Sequence, residues 1–423
     1  MSNITPMNRD MKKRQLKRQI VPTPSRNTEK EETSEEIVKK AHKKVWKKRF
    51  LILFLVLLLL SAAAFGAYRY YRDHQYTDYT IGWERELEHG AAGFTGYINF
   101  GNNIIKYTKD GASYIDVNGK DVWIQSYEMK SPIASVNGDF AVIADQQGNS
   151  IYIFDKNGCQ GIATTLRPII KASISAKGVV AAILEDQKVN YINMFKKDGS
   201  VLDIEIKGLL GGGVGYPLDI SMSPDGTKLI SSFMYIKNGM LKSRVAFYDF
   251  SEIGKNTPTR LVGGFHDLYE SSMIPRVRFL DDTYSCAFAD DSISFFSSRN
   301  AVSPELLVHI PIEEEIKSVF YSSQYAGVIV ENPTGEYDYR MDVYKANGDK
   351  KFSEYFSYDY QYADIDGETI FLYNEDSCRV YNTWGNLKYE GSFDTPIAKV
   401  TCGSLPNSMI VTGPQDIKEI KLQ

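Results

Sequence analysis

The chain is poor in the residues that build metal centres and disulfide scaffolds, with four cysteines and five histidines in 423 positions. Cys159, Cys286, Cys378 and Cys402 form no C-x-x-C pair, and each falls in or beside a segment that reads as a strand. Ordinary buried thiols fit that placement better than two disulfides. His42, His74, His89, His266 and His309 show no H-x-H or H-x-x-x-H spacing, so no zinc site is expected. No G-x-S-x-G occurs, and no carboxylate pair stands out from the many acids that turns explain. The only glycine-rich loop, Gly208–Gly215, lacks the Lys-Ser/Thr ending of a phosphate loop and runs into Pro217 instead of a helix. It reads as a connecting loop. Asp364-Ile-Asp-Gly-Glu368 lacks the ligand spacing of a calcium loop, and a hairpin turn explains its Asp-Gly better. No catalytic, cofactor-binding or metal-ligating residue is assigned on these grounds. Helical periodicity is missing beyond the first part of the chain, which disfavours parallel sheets, since those need helical crossovers.

Charge is present but unevenly placed. Residues 1–49 hold fifteen Lys/Arg and six Asp/Glu, a net of +9; the whole chain sums to −4, so the remainder carries −13. Between them, Phe50–Ala67 reads FLILFLVLLLLSAAAFGA, eighteen positions without a charge. At ~1.5 Å per residue this covers ~27 Å, close to a hydrocarbon core. Trp46 precedes it and Tyr68, Tyr70 and Tyr71 follow, as interfacial aromatics do. A long basic region before the run, and the run's length, argue for an uncleaved anchor and against a signal peptide. Lys43, Lys44, Lys47, Lys48 and Arg49 on the amino side, against Arg69 and Arg72 beyond, place the amino terminus in the cytoplasm. Residues 1–32 have too few apolar residues for a core and are expected to be disordered. From Thr33 a juxtamembrane helix is expected: Thr33 and Glu36 make a capping box, and Glu35/Lys39 and Glu36/Lys40 are i,i+4 pairs. Its basic face suits anionic lipid. Nothing specific supports nucleic-acid binding.

Beyond the span a unit repeats. Its copies begin at Tyr97, Val136, Ile174, Ile220, Val277, Val319, Ala363 and Val400, spaced by 39, 38, 46, 57, 42, 44 and 37 residues. Each holds β-branched or aromatic runs, such as Ile151–Phe154, bounded by Gly, Asn and Asp. Asn118-Gly119, Asn157-Gly158, Asp198-Gly199 and Asn347-Gly348 fit two-residue hairpin turns. The spacing is that of a four-stranded propeller blade. Seven outer strands follow the hairpins, near Val122–Tyr127, Ile162–Leu166, Val201–Ile206, Thr259–Phe265, Glu305–Ile310, Lys351–Phe356 and Leu387–Phe393. The eighth is missing at the carboxyl end. Ile81–Leu87, just after the span, resembles Val122–Tyr127 and is expected to complete the last blade. The fold class is therefore all-β: an eight-bladed β-propeller over residues 80–423, with seven blades as the alternative. It follows a basic tail (1–49), a transmembrane helix (50–67) and a linker (68–79).

The Ser223-Pro-Asp-Gly-x-x-Leu229 turn is similar to that of TolB-like and WD40-like propellers, and Gly119-Lys-x-x-Trp123 resembles an outer strand of quinoprotein-type propellers. The full layout resembles the bacterial membrane-anchored propellers grouped as domain of unknown function 5711. That resemblance implies fold and location, and carries no catalytic residue over.

Tyrosine is the abundant residue, with 28 copies. Tyr337, Tyr339, Tyr355, Tyr358, Tyr360 and Tyr362 cluster in sequence and form a candidate binding patch for protein or glycan, with cross-strand packing as the alternative role. No Asn-x-Ser/Thr sequon with a non-proline middle follows the span, in keeping with a bacterial envelope. The leading expectation is a non-enzymatic, single-pass protein of the cell membrane whose outer propeller is a binding or assembly platform. The alternatives are an envelope hydrolase or lyase with its site at the channel mouth, or a sensor reporting to the tail. Carboxylates, arginine or histidine converging on one mouth favour the enzyme; a dry channel with a tyrosine-rich rim favours the platform.

Overall fold

Strands that are β-branched and aromatic on both faces cannot be satisfied by one sheet; they need a neighbour on each side. In the computed structural model, which describes residues 34–87, 94–187, 189–209, 215–269, 271–333 and 335–423, this is met by eight four-stranded antiparallel sheets. The expected tail at residues 1–32, the Thr33–Lys40 side-chain pairs, His89 and the centre of the glycine-rich loop at residues 210–214 lie outside the described features.

Two units are present, residues 1–70 and 71–423. The first is described as a helix, part of Ser34–Asp73, in which His42–Asp73 is long and apolar enough to cross a membrane. The helix continues past Ala67, where a linker was expected, because Tyr68–Asp73 contains neither glycine nor proline to stop it.

The second unit is the propeller. Blades occupy residues 95–126, 132–164, 169–208, 216–265, 276–311, 316–356, 362–392 and 399–422, the last joined by Tyr79–Glu86. Each blade runs from an inner strand to an outer one. The eighth has only three strands of its own, and Tyr79–Glu86 pairs antiparallel with Asp416–Leu422 from Tyr79↔Leu422 to Glu86↔Asp416. Flanking backbone bonds extend the seam: Thr77 N to Gln423 O at 3.0 Å and Leu87 N to Gln415 O at 2.8 Å. The expected strand 81–87 is thus present, two residues earlier at its start.

The core lies between blades. Eight clusters of buried side chains each join two neighbouring sheets, for instance Val142, Ile151 and Ile153 of the second blade with Ile174, Val180 and Ala182 of the third. Among the described residues the junction of the eighth and first blades has the smallest buried set: Leu87, Ile104, Ile115, Ile410 and Ile417. Trp123 shows how outer strands contribute, stacking on Phe154 of the next blade at 4.9 Å and 7°.

Three of the four expected two-residue turns are built differently. At Asp116–Gly119, Lys196–Gly199 and Lys345–Gly348 the fourth residue donates to the carbonyl of the first at 2.9 Å. Only the glycine has positive φ, +74°, +83° and +88°, and each outer pairing shifts register just beyond. These are three-residue hairpins closed by a glycine bulge. Two outer strands also start elsewhere than expected. Gly158–Thr164 begins directly after its short turn, leaving Leu166 outside the sheet, and Leu261–Phe265 follows a 3-10 turn in which Thr259 has φ +56°.

Two exposed faces result. One carries the connections between blades and the second-to-third strand hairpins; the other carries the remaining turns. The chain enters at the latter. Lys388 Nζ there donates to the carbonyls of Tyr71 (2.5 Å) and His74 (2.6 Å), and Asn382 donates to that of Arg72 (2.9 Å).

Closure by Tyr79–Glu86 predicts the behaviour of a truncated propeller. A chain starting at Tyr97 exposes the backbone groups of Asp416–Leu422 and removes Tyr79 from Tyr389 and Phe393, with which its ring makes centroid distances of 6.4 and 5.2 Å. It is expected to aggregate and melt lower than one starting at Tyr76. Equal melting temperature and a monomeric profile in size-exclusion chromatography would contradict the seam.

Candidate functional site: the tyrosine face and the charged channel

The six tyrosines gather at one face, around the connection between the sixth and seventh blades, but they do not share one role. Tyr339, Tyr358 and Tyr360 are half-buried. Tyr339 packs on Phe356 (5.5 Å) and on Tyr360 (5.4 Å). Tyr358 shares a hydrogen bond with Ser377 Oγ at 2.8 Å, and Tyr360 donates to Ser318 Oγ at 3.1 Å. Burial pushes the Tyr358 hydroxyl up to about 12 and raises that of Tyr360. These three close the junction between blades. Tyr337, Tyr355 and Tyr362 are 45%, 46% and 51% exposed, and Tyr362 stacks on Tyr373 at 5.2 Å. The exposed part of the patch is these three. The same face also presents Ile236, Met240 and Leu241 at the tip of the long hairpin Lys228–Lys237/Met240–Asp249, which the sequence reading did not single out.

The central channel is the second feature. A cavity of about 940 Å³ is lined from the inner strands of all eight blades, from Ile98 and Asn99 in the first to Lys399 in the eighth. It is not dry. Lys171, Arg276, Arg278 and Lys399 line it together with Asp219 and Asp364. The strand positions explain where they sit. Lys399 and Arg276 are the first residues of their strands and lie nearest the mouth shared with the tyrosines, whereas Lys171, Arg278 and Asp364 are the third and lie deeper. The turn at the other end contributes Ser322 and Ser323.

Asp219 is the hub. It is fully buried on the inner strand of the fourth blade, between Lys171 of the third (2.7 Å) and Arg278 of the fifth (3.1 Å), and accepts the Val277 amide at 2.9 Å. Arg278 lies over the Tyr321 ring of the sixth blade at 4.9 Å. Similar links join other inner strands: Ser173 Oγ accepts from Met222 N (3.1 Å), Ser221 Oγ from Phe279 N (3.0 Å) and Asp366 from Cys402 N (2.9 Å). Lys399 pairs with Asp364 across the seventh and eighth blades.

Arginine and carboxylates therefore converge on the channel, as the enzyme alternative required, but both carboxylates are held by cations and, among the described residues, no histidine or cysteine lines the cavity. A base free to accept a proton is missing among these residues, whereas oxyanion binding is within their reach. A Ser–His contact exists elsewhere: Ser294 Oγ lies 2.9 Å from His309 Nδ1 and receives a bond from Tyr269 OH at 2.6 Å. Ser294 of the fifth blade and Tyr269 of the segment leading into it are wholly buried, so the trio satisfies polar groups inside the fold. The four cysteines are free thiols, with Cys286 and Cys378 fully buried. No metal-type cluster of His, Cys, Asp and Glu occurs among the described residues.

The fold and its channel define an eight-bladed β-propeller. The chain belongs to the family of unknown function DUF5711, whose model matches residues 72–422. Comparison with curated proteins yields no match. Among solved structures, Sqt1 from Chaetomium thermophilum is similar at a TM-score of 0.53 and 10% identity, covering 82% of this chain and 98% of Sqt1. BamB from Moraxella catarrhalis is similar at 0.47 and 12%, covering 81% and 98%. The Dos1 propeller gives 0.49 and 9%, covering 81% and 95%. At such identities the likeness concerns the fold alone.

The Asp219 hub has a measurable consequence. Asp219→Ala leaves two largely buried cations and the Val277 amide without their shared partner, and is expected to destabilise the propeller by about 3–5 kcal/mol. Asp121→Ala, which breaks an exposed pair with Arg85 at 3.1 Å, should cost no more than about 1 kcal/mol. Chemical denaturation of the two variants compares them directly.

Proposed function

We propose that this is a single-pass protein of a bacterial cell membrane, amino terminus inside, whose extracytoplasmic propeller is a non-enzymatic platform for an envelope protein or glycan. The observation that carries the reading is the pairing of one membrane-competent helix, His42–Asp73, with a closed ring that presents Tyr337, Tyr355 and Tyr362 on the face opposite the chain's entry. Tyrosine offers large, rigid, amphipathic contacts at low entropic cost, and closed propellers leave loop faces free for display. Sqt1 is described in complex with the N-terminus of a ribosomal protein; binding of a peptide segment by this ring would be a role of the same kind. The basic tail supports the inside placement and contact with anionic lipid.

Two measurements test this. Protease added to wall-stripped cells is expected to digest the propeller and leave a short membrane-protected fragment; a protected propeller would reverse the orientation. A photo-crosslinking residue at Tyr355 is expected to give a discrete adduct in cells that the Tyr337→Ser/Tyr362→Ser variant loses. Adducts equal to those from a probe at Lys156, in the second blade, would count against the tyrosine face.

A further inference from the structure

The channel charges divide into those the fold uses and one it does not. Asp219 binds Lys171 and Arg278 while holding the fifth blade by its backbone, and Asp364 binds Lys399. These five residues hold three blade junctions together at the axis and would be needed in an empty channel. Arg276 is different. It lines the same cavity, is only partly exposed, and makes no side-chain hydrogen bond, ion pair or ring contact among the described residues. A guanidinium drawn partly out of water with no partner stabilises nothing in the propeller and costs solvation. The strand that carries it reads Arg276-Val277-Arg278-Phe279, with the two apolar residues buried and the two arginines turned to the channel, so the placement follows the period of the strand.

The balance in the cavity is also unusual for this chain. Four cations face two carboxylates, an excess of two positive charges, in the part of the chain that carries a net of −13 outside the tail. A concave site walled by protein focuses such a field, while acids on the outer surface more than about 8 Å away are screened at physiological salt. At about 940 Å³ the cavity is within the size range of small-ligand sites, and Ile98, Ile133, Phe279 and Ile365 add apolar wall beside the charges.

We infer that the channel mouth binds a small anionic ligand, one bearing at least two carboxylate or phosphate groups, with Arg276 as its primary contact and the Lys171–Asp219–Arg278 cluster as a pre-formed positive surface behind it. An arginine matches either oxyanion with paired N–H donors, and its partner's charge replaces the water it has lost. This site is independent of the tyrosine face, and a platform role for that face can stand or fall without it.

The test is isothermal titration of the purified full-length protein in detergent at fixed ionic strength, with pyrophosphate and with citrate as separate probes. A saturable, one-to-one isotherm is expected for at least one of them; the pyrophosphate arm marks a phosphate ligand and the citrate arm a carboxylate. Arg276→Ala should weaken that binding tenfold or more while leaving the circular dichroism spectrum and melting temperature unchanged, because the side chain it removes has no partner in the fold. Lys156→Ala, an equal charge change on an outer turn, should leave the affinity as it was. Absence of a saturable isotherm with both probes, or equal affinity in Arg276→Ala and the unmodified protein, would overturn the assignment.

Discussion

The antiparallel ladder between Tyr79–Glu86 and Asp416–Leu422 is the constraint on which the rest of the propeller depends. A ring of sheets has no free edge only if the last blade is completed, and here the missing strand comes from the other end of the chain. The ladder also lies where the buried side-chain set between blades is smallest among the described residues, at Leu87, Ile104, Ile115, Ile410 and Ile417. That ladder lies inside the eighth blade, so the junction with the first blade still rests on this small side-chain set. Tyr79 and Tyr76 add ring contacts on the neighbouring junction of the seventh and eighth blades, so one short segment secures two interfaces.

Closure brings eight inner strands to one axis, and this determines the chemistry of the channel. Inner strands of adjacent blades do not pair with each other through a continuous ladder. Their backbone amides are met by side chains from the preceding blade instead: Asp219 for Val277, Ser221 for Phe279, Ser173 for Met222, Asp366 for Cys402. Short polar side chains at the axis are thus part of how the blades hold together. A buried carboxylate in that position needs cations, and Lys171 and Arg278 supply them from either side. The positive character of the channel grows out of this structural need and is then exceeded by Arg276.

Tyrosine enrichment turned out to combine two physical uses. Of the six tyrosines grouped in sequence, three have become packing, with hydroxyls bonded to Ser377 and Ser318 or rings set against Phe356, and three remain at the surface. The alternation along a strand separates residues by face, but whether a given face meets a neighbouring blade or solvent depends on how far along the strand the neighbour reaches. Tyr355 and Phe356, consecutive at the end of their strand and so on opposite faces, are half exposed and buried: one face still meets a neighbouring blade there and the other does not.

Much of this architecture is legible in the sequence, because it rests on local and periodic properties. The Phe50–Ala67 run, the spacing of β-rich units and the likeness of Ile81–Leu87 to Val122–Tyr127 are one-dimensional patterns, and they map onto the apolar helix, the eight blades and the strand that completes the last of them. Turn type was less legible: Asn-Gly marks a hairpin, while the bulge that sets loop length depends on outer-strand register. The channel was not legible at all as a site, although Arg276-Val277-Arg278-Phe279 carried the alternation that would have pointed two arginines the same way. Lys171, Asp219, Arg276, Arg278, Asp364 and Lys399 come from five blades and more than two hundred residues of chain. Secondary structure follows from neighbours along the sequence; a shared axis exists only after the ring has closed, so only tertiary structure could bring those charges together.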